Sequence, residues 1–213
     1  DISVKVVDHI STTMKSLVLT INGNEHVDEY VIIGGHIDSI VGWDLDSQSN
    51  APGADDNASG IATITEVLRV LLKNNFKPQR TVEIMAYAAE EVGLRGSKEI
   101  AEKYRNDTKN VIGYVQFDMT NYKGSTEDIF IYTDSYTSTE LNNFLMQLMD
   151  TYNTSGLHQF TYSTSECGYG CSDHASWADF GYRAALPFEA KFREHNSSIH
   201  TVNDTYSNLG NSS

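Results

Sequence analysis

Tyr30-Val-Ile-Ile33 runs directly into Gly34-Gly35-His36-Ile37-Asp38, and this junction sets the reading of the chain. A continuous apolar run of this length, mostly β-branched, is the pattern of a strand buried on both faces. Two glycines end it, and an imidazole and a carboxylate follow at once. Upstream, Ile2-Ser-Val-Lys-Val-Val7 and Leu17-Val-Leu-Thr-Ile21 alternate as strands do, with Asn22-Gly23 as a turn. Downstream, Ile61, Ile64, Val67, Leu68, Leu71 and Leu72 recur at helical spacing, predicting a helix that stops near Asn74-Asn75, before Pro78. Strands are predicted over 81–87, 111–117 and 129–132, and helices over 93–104 and around Leu141 to Met149. Ala184-Ala-Leu-Pro-Phe188 reads as a short last strand. Strands alternating with helices predict one α/β domain, a sheet sandwiched between helices, with neither repeat nor linker.

The 213 residues carry a formal net charge of −14, with 39% hydrophobic and 10% aromatic residues, too apolar for a disordered acidic chain. The acidity argues against nucleic acid and anionic membranes as partners and suits cations and free amines. No apolar stretch approaches the ~20 residues that span a bilayer. No signal-peptide-like run opens the sequence, although a leader already removed would leave none. Cys167 and Cys171 stand four apart in Cys-Gly-Tyr-Gly-Cys. The flexible Gly168 and Gly170 would let so short a loop close into a disulfide, implying an oxidising compartment; two free thiols remain the alternative.

The chemistry-bearing residues share a location. His36 and Asp38 follow the strand at 30–33, Glu90 and Glu91 follow 81–87, and Asp118 follows 111–117. In open α/β sheets, sites assemble outside the C-terminal strand ends, where loops converge. Asp55 and Asp56 close the polar stretch from Asp38 to Ala54, which is too long for a simple turn and reads as functional. His200 lies in a polar C-terminal stretch. Two imidazoles and several carboxylates suit zinc or another divalent metal. Each residue alone has a plainer role: Asp55-Asp56 could cap a helix, and Glu90-Glu91 could start one. There is no His-Glu-x-x-His, no Gly-x-Ser-x-Gly and no phosphate-binding loop. Ser172-Asp173-His174 reads as a helix start, since adjacent residues do not face one another as a triad. His9, His26, His158 and His195 read as surface residues.

Six motifs occur in order: Gly34-Gly-His-Ile-Asp38, Pro52-Gly-Ala-Asp-Asp-Asn-Ala-Ser-Gly60, Ala88-Ala-Glu-Glu-Val-Gly93, Gln116-Phe-Asp-Met-Thr120, Cys167-Gly-Tyr-Gly-Cys-Ser-Asp-His174 and His200-Thr-Val-Asn-Asp-Thr205. Together they make the chain resemble, over nearly its whole length, the secreted bacterial di-zinc leucyl aminopeptidases of the marine vibrio type. The resemblance implies a mixed, mostly parallel sheet of the zinc exopeptidase kind and two Zn2+ per chain. It implies that Asp56 bridges the metals, with Glu91 and His200 completing one site and His36 and Asp118 the other. Glu90 would be the general base and Asp38 would orient His36. Tyr169, in the Cys167–Cys171 loop, would hydrogen-bond the tetrahedral intermediate. Met119, Phe188, Phe192 and Ile199 would line an apolar side-chain pocket, and Asp56–Asn57 would be a cis peptide. The expected substrates are peptides and proteins with a free N-terminus, the location extracellular, and the protein a monomer, since no oligomerisation signal is present.

The resemblance also implies several tens of residues before the first strand and a helix after Asn208-Leu-Gly-Asn-Ser-Ser213. A chain lacking both is expected to leave part of a sheet face uncovered. Two other functions compete: glutaminyl cyclisation at one zinc in a related fold, and a protease-like domain serving only to bind. The intact set of ligand-type residues with Glu90 argues against both.

Overall fold

A computed structural model describes residues 2–42, 49–153 and 159–209. His158 and the middle of the 38–54 stretch lie outside the described residues. The first two strands, β1 (Ile2–Val7) and β2 (Ser16–Ile21), pair antiparallel. Then come β3 (His26–His36), α1 (Gly60–Lys73), β4 (Arg80–Tyr87), α2 (Arg95–Asn106) and β5 (Asn110–Gln116). The main sheet has the order β1-β2-β4-β3-β5-β8, where β8 is Ala184–Ala185. β3 lies parallel to β4 and β5, and β5 parallel to β8, while β2 joins β4 antiparallel. This is the mixed, mostly parallel sheet expected.

The predicted elements fall in place with one correction. Ala184–Phe188 is not a single strand. Ala184–Ala185 joins the main sheet, while Pro187–Phe188, here β9, pairs antiparallel with β6 (Ile129–Tyr132) in a second, three-stranded sheet. Leu186, buried between them, turns the chain from one sheet to the other and accepts a hydrogen bond from the Tyr132 amide at 3.0 Å. The remaining strand, β7 (Tyr162–Ser165), lies parallel to β6 and gave no apolar signal, being Tyr-Ser-Thr-Ser. The last helices are α3 (Thr139–Tyr152), capped by Ser138 accepting from the Leu141 amide, and α4 (His174–Asp179).

One face of the main sheet is covered by α2 and α4. There Ile32, Met85, Tyr87 and Tyr114 meet Ile100, Tyr104 and Trp177 in the main core. Trp177 stacks on Tyr114 at 5.0 Å between ring centroids and donates its indole N–H to the Tyr87 hydroxyl at 3.0 Å. Each such side chain contributes ~2–3 kcal/mol by leaving water. The other face lies against α1, whose buried Ile64 looks inward. That cover is partial. Val31 is 37% exposed, so β3 is buried on one face and only partly on the other, contrary to the symmetric burial its apolar run suggests. On the same face Val4, Val6 and Leu17 are 63%, 53% and 41% exposed. Among the described residues, no helix is long and apolar enough to cross a membrane.

Candidate metal centre and its cavity

Because β3, β4 and β5 run parallel, the loops that leave them open on one edge, and His36, Glu90, Glu91 and Asp118 gather there. The segment Ala54–Ser59 brings Asp56 to the same edge through a non-helical kink at Asp56 and Asn57, whose peptide bond is cis. Asn57 locks this kink in place. Its Oδ1 accepts from the Gly60 and Met119 amides, and its Nδ2 donates to the Phe117 carbonyl at 3.0 Å. The start of α1 is thereby tied to the loop that carries Asp118. From the other side, the Asp204 carboxylate accepts the Asp55 and Asp56 amides at 3.0 and 3.1 Å.

Asp56 stands between two histidines. Its Oδ1 is 3.0 Å from His36 Nε2, and its Oδ2 is 3.0 Å from His200 Nε2. Asp118 Oδ1 lies 3.4 Å from His36 Nε2, and Glu91 Oε2 lies 2.9 Å from His200 Nε2. The result is two triads, His36–Asp56–Asp118 and Asp56–Glu91–His200, each with donor atoms within 4.8 Å of one another and with Asp56 in common. Glu90 Oε2 lies 4.0 Å from His36 Nε2. A third cluster, Asp134 with Cys167 and Cys171, has its two sulfurs joined in a disulfide and offers no thiolate.

His36 is oriented by its neighbour two residues on, through the backbone more closely than the side chain. Nδ1 meets the Asp38 carbonyl at 3.0 Å and the Asp38 carboxylate at 3.7 Å. A proton held on Nδ1 leaves Nε2 with its lone pair toward the carboxylates. The Asp38 carboxylate instead accepts the amides of Glu90 and Glu91 at 3.0 and 3.2 Å, fixing both side chains at their root. Ser172 donates to Asp118 and accepts from Gln116, which also reaches Asp173.

The electrostatics call for cations. Burial would lower the His36 imidazole, but Asp118 and Glu90 beside it hold its pKa well above the ordinary value. His200 is raised to about 10 by its hydrogen bonds to Asp56 and Glu91. Burial opposes ionisation of Asp56, yet the His200 and His36 imidazoles beside it hold its pKa below the usual range. Glu90 is pushed well up, first by burial and then by the surrounding Asp173, Asp118 and Asp56, against the pull of His36. Four carboxylates around two imidazoles are in balance when positive charge sits among them. The buried atoms His36 Nε2, Asp118 Oδ1 and Glu91 Oε1 have no hydrogen-bond partner. Orphaned donors of this kind fit coordination to a divalent metal.

The centre opens into a cavity of about 310 Å³. Met119, Phe188, Phe192 and Ile199, the four expected pocket residues, all line it, as does Tyr169. The second sheet and the disulfide loop build its wall, through Phe130, Tyr132, Cys167 and Leu186 packed with Phe188 and Phe192. Tyr169 projects from the disulfide loop, 57% exposed, with its ring edge-on to Phe192. Burial, then Glu90 and Asp118, raises its phenol pKa and keeps it a donor.

Sequence reasoning missed several residues. His195 was read as a surface residue but lines the cavity. Glu189 is buried and accepts from the Asn121, Tyr122 and Asn196 amides, joining the loops that carry Asp118 and His200. Its neighbour Asn196 is 3% exposed, with its side-chain amide turned to Asp204. Asp204 lay within the His200 motif and could have been picked out; Glu189 carries no local pattern.

Known proteins share much of this sequence and its fold. The model of peptidase family M28 matches residues 16–213. Leucine aminopeptidase 1 of Ajellomyces capsulatus is 39% identical over 204 residues, covering 91% of this chain and 51% of that protein. The crystal structure of the Legionella pneumophila LapA aminopeptidase superposes with a TM-score of 0.83 at 34% identity, covering 97% of this chain and 53% of that one. A glutaminyl cyclase from an Acidobacteriales bacterium, at 16% identity and a TM-score of 0.67, covers 98% of this chain and 70% of its own, and shares the fold alone. The chain spans about half the length of the curated relatives it matches.

Proposed function

Since the chain belongs to peptidase family M28, we propose that it is the catalytic part of a zinc aminopeptidase removing large apolar N-terminal residues, leucine among them, from peptides and proteins. The observation that carries this reading is Asp56, shared between two His–carboxylate triads, with Glu90 beside them and an apolar cavity in front. His36, Asp56 and Asp118 would hold one zinc, and Asp56, Glu91 and His200 a second. When bound, the two ions polarise the scissile carbonyl and lower the pKa of a water.

The chain's own residues do the rest. Glu90 takes the proton of the attacking water and delivers it to the leaving amine. Its place directly before Glu91, with both amides on Asp38, sets its reach. The Tyr169 phenol donates to the oxygen on which charge develops. The acidic surroundings receive the free α-amine of the substrate, which restricts cleavage to the N-terminus. Phe188, Phe192, Met119 and Ile199 remove the first side chain from water, a discrimination that packing alone makes modest. The Cys167–Cys171 disulfide supports action outside the cell, in an oxidising compartment.

The test is zinc content per chain together with hydrolysis of a leucine anilide, for the unaltered chain and for Glu90→Ala. The expected result is about two zinc per chain in both, with activity lost at least ~10³-fold in the variant. Undiminished activity in Glu90→Ala would remove the base from this mechanism. One zinc per chain with cyclisation of N-terminal glutamine would replace the reading altogether.

A further inference from the structure

His195 is out of place in an apolar pocket. Its half-buried ring sits against two aromatic walls, edge-on to Phe188 at 6.2 Å between centroids and tilted on Phe192 at 6.3 Å. Its Nδ1 lies 3.4 Å from the Asn196 carbonyl, within hydrogen-bonding reach. A carbonyl only accepts, so this contact places the proton on Nδ1. In the neutral ring, Nε2 is then an acceptor. Of the two tyrosines that line the cavity, Tyr169 stands on the exposed disulfide loop, and the buried Tyr132 hydroxyl is already turned to the Ala190 carbonyl at 3.5 Å. The pocket therefore offers an entering side chain apolar aromatic walls and, besides the carboxylates of the metal centre, a hydrogen-bond acceptor at His195.

From this geometry we propose that His195 sets the preference of the pocket, and that the favoured substrates carry an N-terminal tyrosine. The phenol ring packs between Phe188 and Phe192, and its hydroxyl donates to His195 Nε2. Phenylalanine fills the same walls but leaves the acceptor unpaired, which costs binding where water is displaced. Because His195 is only half-buried, water partly compensates, and the discrimination is about tenfold rather than the ~10⁴ of a sealed site.

This rests on the aminopeptidase reading, and the experiment separates the two. The kcat/KM of tyrosine, phenylalanine and leucine amides is measured for the zinc-supplied chain, for His195→Phe and for His195→Gln. In parallel, binding of L-tyrosine and L-phenylalanine is followed by calorimetry. The expected tyrosine-to-phenylalanine ratio is about ten in the unaltered chain, about one in His195→Phe, and intermediate in His195→Gln, which keeps an acceptor. A ratio near one in the unaltered chain, or one that His195→Phe leaves intact, overturns the proposal while hydrolysis of the leucine amide keeps the activity standing. Loss of all three hydrolyses brings down the activity instead. Calorimetric preference for tyrosine then still decides the pocket, even if His195→Phe fails to fold.

Discussion

Glu189 shows how one buried carboxyl can organise a site without entering it. It holds the Tyr122 amide at 2.8 Å, the Asn121 amide at 3.1 Å and the Asn196 amide at 3.4 Å. Burial, and then Asp55 beside it, push its pKa up to about 9. In the unfolded chain a glutamate titrates near ~4.3. The folded state thus keeps a proton that the unfolded state releases. The stability Glu189 contributes is full below about pH 4 and is lost as pH rises through about 9. Asp55, at about 6, and Asp173, at about 7, both raised chiefly by burial, act in the same direction. Glu189→Gln keeps an acceptor for Asn121 and Tyr122 and cannot ionise. With chelator present, its melting temperature should fall less between pH 5 and pH 9 than that of the unaltered chain. Parallel curves would show that Glu189 ionises in the folded state as readily as in water.

The start of α1 is the element on which the centre turns. A Cβ on Gly60 would meet both Asn57 Oδ1 and the Phe117 carbonyl at 2.3 Å, the very atoms that tie Asp56 to the Asp118 loop. Neither atom can yield without moving one half of the metal centre. Gly60→Ala is expected to destabilise by ~3 kcal/mol and to weaken zinc binding, checked by denaturant unfolding and by competition with a chelator. Stability unchanged within error would mean that the helix start can slide on β5. Backbone beside the triads carries conformational cost as well. Ala89, Met119 and His200 all take positive φ, at 58°, 57° and 56°, next to or within the triads. Backbone of this kind persists where surrounding contacts over-determine it, as the hydrogen bonds of Asn57, Asp38 and Asp204 do here.

Across the whole chain, charge and apolar surface are unevenly placed. β1 is an edge strand of the main sheet, and its Ile2, Val4 and Val6 are at least half exposed on the face where α1 gives partial cover. An edge strand with an apolar face is a template for association. The 213-residue chain should therefore self-associate at high concentration despite its net charge of −14. Val4→Lys with Val6→Lys should reduce that association in sedimentation experiments while leaving the far-ultraviolet spectrum unchanged. Equal association in the double variant would place the contact elsewhere.

Much of this molecule was legible in one dimension. The apolar runs at 30–33, 81–87 and 111–117 are strands because burial rewards them locally. His36, Glu90, Glu91 and Asp118 follow those runs by one to four residues, so parallel pairing alone brings them to one edge. Other features required distant parts of the chain to meet. The turn of Leu186 between two sheets, the bridging geometry of Asp56 between His36 and His200, and the hold of Asp204 and Glu189 on loops far away in sequence are such cases. His195 looked like a surface histidine because its neighbours in sequence are polar. The second sheet and the disulfide loop supply the aromatic walls that make it part of a pocket. Periodicity reports which face of an element leaves water, and strand ends report where loops begin. Which groups then stand within 3–4 Å of each other depends on packing between elements, and that the tertiary structure alone decided.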